Sequence, residues 1–172
     1  NIIAFVGGIE LPPIKVAEEA WVAGARSVNP RVSARSTYLN TFDDVAAGRE
    51  AALALIHAGA DMFHHNADQA ALGVFQAVKE SQGAFIFGSN ADQSSLAPER
   101  TLGSAVIDLP RAFLSVAKEV KAGGFKPKVE SFGLKSGVIR YEPNPALEAS
   151  IPQALRQRLA TARDSIVAAE PA

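Results

Sequence analysis

Cysteine is missing from the 172 residues of this chain, so neither a disulfide nor a thiolate-bound metal can staple it or serve its chemistry. Charge of one sign is missing too. The 17 basic and 18 acidic side chains leave a formal net charge of −1, and the basic ones are spread along the chain without forming a stripe. That excludes the electrostatic footprint of a nucleic-acid binder or of a protein held on an anionic membrane. No apolar run approaches the roughly 18 residues that span a bilayer. No basic head followed by an apolar core and a small-residue cleavage site is found either. Histidine is scarce, with His57, His64 and His65 the three in the sequence.

What is plentiful is apolar: 48% of the residues are hydrophobic and 20% charged, the make-up of one ordinary globular domain with chain enough for its own core. Residues 1–6, Asn-Ile-Ile-Ala-Phe-Val, read as a buried strand that starts at the first residue. An interior strand ordinarily has chain before it, so the expectation is that sequence precedes Asn1.

Short apolar runs then alternate with helical periodicity. After the strand at 2–6 come Gly7-Gly8, a predicted turn through Pro12-Pro13, and a helix over 14–26 carrying Val16, Ala17, Ala20 and Trp21. Residues 32–39 alternate as a second strand. Thr41 is the expected N-cap of the next helix, with Asp43 and Asp44 in its first turn and Gly59 at its C-terminus. A strand over 61–65, a helix over 69–80 and a strand over 84–87 follow. Four strand–helix alternations with short connections predict a parallel sheet covered on both faces and wound right-handedly. Beyond Arg100 the pattern loosens into predicted strands at 101–106, 128–134 and 137–141, with helices at 110–121 and 152–167.

In open parallel sheets, ligands bind beyond the carboxyl ends of the strands. Here those ends are polar: Gly7-Gly8, Tyr38 to Asn40, His64-His65-Asn66 and Gly88-Ser89-Asn90-Ala91-Asp92-Gln93. Turns alone use the same residue types. Gly7-Gly8 lacks the Gly-x-Gly-x-x-Gly of a dinucleotide site, and no Gly-x-Ser-x-Gly elbow accompanies Ser89, Ser94 or Ser95. His64-His65 with Asp68 invites a metal, but neighbours on a strand point to opposite faces, so one imidazole must turn away from any shared site. One of the pair as a ring platform or hydrogen-bond partner is the better reading.

Five stretches in order carry a family resemblance: Phe5-Val6-Gly7-Gly8-Ile9-Glu10, Gly59-Ala60-Asp61, Gly73-Val74-Phe75, Gly88-Ser89-Asn90-Ala91-Asp92-Gln93 and Phe132-Gly133-Leu134-Lys135-Ser136-Gly137. Together they resemble the basic membrane protein family of ABC-transporter substrate-binding proteins, which includes bacterial purine nucleoside receptors. The resemblance covers nearly the whole chain and is to the second half of family members.

It implies an α/β fold: a parallel-sheet, Rossmann-like lobe of a type I periplasmic binding protein. Residues 1–95 would be the C-terminal lobe, 96–124 a segment crossing toward an N-terminal lobe, and 125–172 return strands and a terminal helix. It implies no catalysis and no cofactor or metal. The partners implied are a nucleoside, nucleobase or related small heteroaromatic ligand and an ABC permease and ATPase, at a periplasmic or lipid-anchored extracytoplasmic location. An apolar face left for the absent lobe would favour self-association.

The resemblance places the ligand against Gly8, His64, Asn66, Asn90, Asp92 and Lys135. His64 falls at or beside the family's aromatic platform, and Lys135 matches its Gly-Leu-Lys lysine. Asn90 stands where the family has an acid that grips ribose hydroxyls, and an amide holds a diol without charge assistance. Residues 66–71 replace a glycine-rich loop. Two other classes compete: an effector-sensing domain of a transcription regulator, and a flavodoxin-like enzyme using His64 or His65 as base.

Overall fold

The structure, a computed structural model, describes residues 2–170; Asn1, assigned above to the first strand, lies outside them. Six strands form one sheet in the order β2-β1-β3-β4-β5-β6. They are β1 (Ile2–Gly7), β2 (Ser33–Tyr38), β3 (Met62–Asn66), β4 (Phe85–Asn90), β5 (Thr101–Ile107) and β6 (Ile139–Pro143). All neighbours pair in parallel except β6, which runs antiparallel on β5. The intervening helices are α1 (Pro12–Val28), α2 (Val45–His57), α3 (Ala71–Glu80), α4 (Leu109–Lys121) and α5 (Gln153–Ala169).

The predicted parallel, doubly covered sheet is therefore present over its first half. β1 is buried from Ile3 to Gly7, as its unbroken apolar run requires of a central strand. Phe63, Ile86, Val74 and Val78 are fully buried between the sheet and α3, each side chain contributing on the order of 1.5–3 kcal/mol. α2 and α3 meet backbone to backbone. A Cβ on Gly48 would strike the carbonyl of Ala70, and one on Gly73 the carbonyl of Val45 and the amide of Arg49.

Four local expectations are corrected. Pro12 and Pro13 open α1 rather than forming a turn ahead of it, because proline lacks an N–H where the first helical turn has no use for one. Asp44, not Thr41, caps α2: its Oδ1 accepts the Ala47 N–H at 2.9 Å, while Thr41 Oγ1 accepts that of Asp43. Residues 128–134 are not a strand. The edge of β5 is already taken by β6, and Lys128 is drawn into ion pairs with Glu119 and Glu130 that leave Val129 96% exposed. The strand predicted at 137–141 begins two residues later.

Of residues 96–124, β5 joins the sheet, and α4 follows it without one buried side chain. Phe113 is 73% exposed there and Leu109 57%. α5 likewise buries no residue fully.

Candidate functional site

Among the described residues, three that are not glycine adopt the left-handed conformation, and all stand where strands end: Asn40 (φ 58°) after β2, Asp68 (φ 46°) after β3 and Asn90 (φ 68°) closing β4. Such backbone costs on the order of 1 kcal/mol or more per residue and gathers at functional sites. Here it bends three loops around one point of the sheet's carboxyl edge, where open α/β sheets take ligands.

A cavity of about 540 Å³ lies at that point. Asp43 and Asp68 bring carboxylates to it, Gln69, Asn90 and Gln93 bring amides, and Ser89 and His65 border it from the strands. No lysine or arginine lines it, so the site suits a neutral or cationic ligand rich in hydrogen-bond donors and disfavours an anion.

The strand ends beneath are locked by side chains. Gln93 Oε1 accepts the Ser89 N–H at 2.8 Å and faces His65 Nε2 at 2.9 Å. The Gln93 N–H donates to Ser104 Oγ at 3.0 Å. Asp92 Oδ1 receives the Ser94 N–H and hydroxyl at 3.0 and 2.7 Å, with Ser104 Oγ at 3.4 Å. These donors, the Ser94 hydroxyl foremost, hold the Asp92 carboxyl below the usual carboxylate range. Gly88 is needed here because a Cβ would run into Ser104 Oγ and Gln93. Burial pushes the His65 imidazole down to about 3, with His64 adding a little and Gln93 opposing.

Of the six residues expected to meet a ligand, Asn90 lines this cavity. Gly8 lies at the end of β1, donating its N–H to the Asn66 carbonyl at 2.9 Å and accepting the Asn40 N–H at 2.8 Å, with the Phe42 ring across it. Asn66 closes β3 beside Gly7. Asp92 stands exposed next to the cavity with one oxygen committed to Ser94. His64 points to the other face of the sheet, among Phe5, Trp21 and Phe87, where burial pushes it down to about 4. Lys135 sits on the loop before β6, its N–H and that of Leu134 donating to the Glu170 carboxylate at 3.0 and 2.7 Å.

The two histidines thus part as strand geometry demands, His64 toward α1 and His65 toward Phe75 of α3. Which of them borders the cavity depends on where the helices cross, and spacing alone does not carry that. Asp43 and Gln69 were read as the starts of helices and Ser89 and Gln93 as part of the polar cluster after a strand, without a pattern that separated them from caps and turn formers. Among the described residues, no group of three His, Cys, Asp or Glu side chains is placed to hold a metal ion, and no helix is long and apolar enough to cross a membrane.

The chain is 32% identical over 148 residues to basic membrane protein A2 of Borrelia garinii subsp. bavariensis, covering 84% of this chain and 44% of that protein. It is 27% identical to a purine-binding protein of Brucella abortus, over 83% of this chain and 40% of that one. It therefore spans less than half the length of these relatives. An ABC transporter system solute-binding protein from Aeropyrum pernix has the same fold, with a TM-score of 0.82 at 22% identity over 96% of this chain and 55% of that chain. Another from Conexibacter woesei gives 0.78 at 24%, over 99% and 56%. The family profile described as ABC transporter substrate-binding protein PnrA-like matches residues 1–170, and the chain belongs to that family.

Proposed function

We propose that this chain is the ligand-binding half of an ABC importer's receptor, without catalytic activity, and that it holds a purine nucleoside, nucleobase or related neutral heteroaromatic at the carboxyl edge of its sheet. The observation that carries this reading is the cavity after β3 and β4, where two carboxylates and three amides converge and no cation lies among the lining residues. A base and its sugar offer N–H and O–H donors to such a set without a charge to be repelled. The purine-binding relative from Brucella abortus supports the ligand class. In the receptor, a second lobe would close over the open side of the cavity, and the permease would sense that closure from the extracytoplasmic side.

Asn90 supplies its amide to the ligand hydroxyls or ring edge, Asp43 and Asp68 accept from donors, and Gly8, Asn66, Asp92 and Lys135 serve at the margins of the cleft. His64 belongs to the support beneath, stiffening β3 against α1.

Isothermal titration of the chain, and of the full-length product of its gene, with adenosine, inosine, guanosine, their free bases and the corresponding 5′-monophosphates tests the reading. Saturable binding of a nucleoside or base, with the monophosphate weaker, is the expected result. Preference for the phosphorylated ligands, or no binding by the full-length product at millimolar concentration, would overturn it.

A further inference from the structure

Gln93 is turned with its carbonyl inward. Its Oε1 lies 2.8 Å from the Ser89 backbone nitrogen, a group that only donates, so the amide atom at that position is the oxygen. The same oxygen lies 2.9 Å from His65 Nε2. An amide oxygen cannot donate, so the proton of this bond sits on Nε2. A neutral imidazole with Nε2–H has a bare Nδ1, and the structure agrees: His65 Nδ1 is buried without a partner. His65 itself is 1% exposed and rests edge-on against Phe75. The Gln93 amide nitrogen has no protein partner among the described hydrogen bonds and is not sealed from solvent, and Gln93 lines the cavity.

We propose that His65 is a positioning residue for ligand specificity: as the Nε2–H tautomer it holds the Gln93 carbonyl, and thereby fixes the Gln93 NH₂ as a donor facing the cavity. This rests on the reading of the cavity as the ligand site. Around it Asp43 and Asp68 are acceptors, so a pinned donor beside them selects ligands that present a lone pair next to their own N–H or O–H groups. A carbonyl or bare ring nitrogen beside a ring N–H or exocyclic amine has that pattern, and so does a sugar hydroxyl. With the other tautomer, Nε2 and Oε1 would set two lone pairs against each other, while a turned-over amide would set its NH₂ against the Ser89 N–H; either way one inward bond is lost and the donor in the cavity is no longer held in place. The ring plane against Phe75 and the closed surroundings of Nδ1 keep water from rescuing that arrangement.

The first measurement needs no ligand. Long-range ¹H–¹⁵N correlation spectra of the ¹⁵N-histidine-labelled chain at neutral pH distinguish a protonated from a bare ring nitrogen. A single Nε2–H tautomer for His65 is expected, whereas an Nδ1–H tautomer or exchange between the two overturns the proposal. The second measurement compares dissociation constants for adenosine, inosine and their free bases in three variants. Gln93→Glu keeps both inward bonds and exchanges the outward donor for an acceptor, so it is expected to retain its fold by circular dichroism. Its binding is expected to weaken by about tenfold or more, the scale of leaving a ligand acceptor unpaired.

His65→Phe keeps ring volume and removes one of the two donors that hold the Gln93 carbonyl, leaving the Ser89 N–H alone, and is expected to reduce the discrimination between the probes. His65→Gln restores a donor and is expected to recover part of it. Unchanged discrimination in His65→Phe overturns the proposal even if the tautomer is as expected. If no probe binds the wild-type chain or its full-length product, the receptor reading fails, and the tautomer and the Gln93 side-chain amide signals still decide whether the lock exists.

Discussion

The imidazole of His64 and the indole of Trp21 lie 5.4 Å apart, centroid to centroid, between β3 and α1, and Trp21 is the sole tryptophan. One residue on, His65 is buried against α3. Both rings are neutral in the fold, pushed by burial to about 4 and about 3. In the unfolded chain a histidine takes up its proton near pH 6.5. The native state therefore binds fewer protons below that value, and stability is full above about pH 6.5 and falls as the pH drops, by about 1.4 kcal/mol per unit per histidine, until the folded rings protonate. Denaturant melts read by Trp21 fluorescence should lose about 2–4 kcal/mol between pH 7.5 and 5. His64→Phe should remove close to half of that slope. The depressed Asp92 carboxyl acts in the same direction, its stabilisation being lost only as the pH falls below the ordinary carboxylate range near 4. Stability that is flat from pH 7.5 to 5 would show that these rings are not buried neutral.

Gly73 and Gly48 let α2 and α3 touch through backbone, with no space for a methyl at either position. Gly73→Ala should destabilise the chain by about 2–4 kcal/mol, although alanine is the better helix former, because the neighbours it meets are backbone and cannot turn aside. Gly24, on the outer side of α1, has nothing within 4 Å of its would-be Cβ. Gly24→Ala should leave stability unchanged or raise it by up to about 1 kcal/mol. Thermal melts of the pair check both; equal effects would show that α2 and α3 are further apart.

Asn90 closes β4 in the left-handed region and lines the cavity. Asn90→Asp keeps the size and tolerates the backbone while replacing an amide by a carboxylate. If Asn90 reaches sugar hydroxyls, the variant should bind nucleosides about five- to tenfold more tightly relative to free bases, charge-assisted bonds being roughly twice as strong. Titration calorimetry with a nucleoside and its base checks this, and an unchanged ratio would place the sugar elsewhere.

On α4, Leu109, Phe113, Leu114 and Val120 are all more than half exposed on one helix. Apolar surface of this kind is covered in the working state of a protein. The chain by itself should self-associate through it at micromolar concentration, and Phe113→Glu with Leu114→Lys should return it to a monomer while leaving the circular dichroism spectrum intact. Sedimentation velocity of both forms checks this. A wild-type chain that stays monomeric up to about 100 µM would exclude it on the scale of an ordinary weak interface.

The order of elements was legible because local chemistry writes it. Unbroken apolar runs at 2–6 and 84–87 mark strands buried on both faces, and apolar spacing in Val74, Phe75 and Val78 marks the helix that covers them. The carboxyl edge was legible as the place where polar side chains gather, since parallel winding brings the loops after each strand to one side. The parting of His64 and His65 followed from the two-residue repeat of a strand.

What sequence could not settle was set by partners far along the chain. Ser104 arrives under Gln93 only because β5 pairs with β4 in one register, shifted between Ile86 and Phe87. Gln93 folds back on Ser89 and His65, turning a motif glutamine into part of the floor. Residues 128–134 carry strand-forming residues yet join no strand, and the place beside β5 goes to β6 from farther along the chain. Hydrophobic periodicity is a property of neighbours in sequence and survives into the fold. Hydrogen-bond closure and strand register are properties of neighbours in space, and only the packed sheet supplies them.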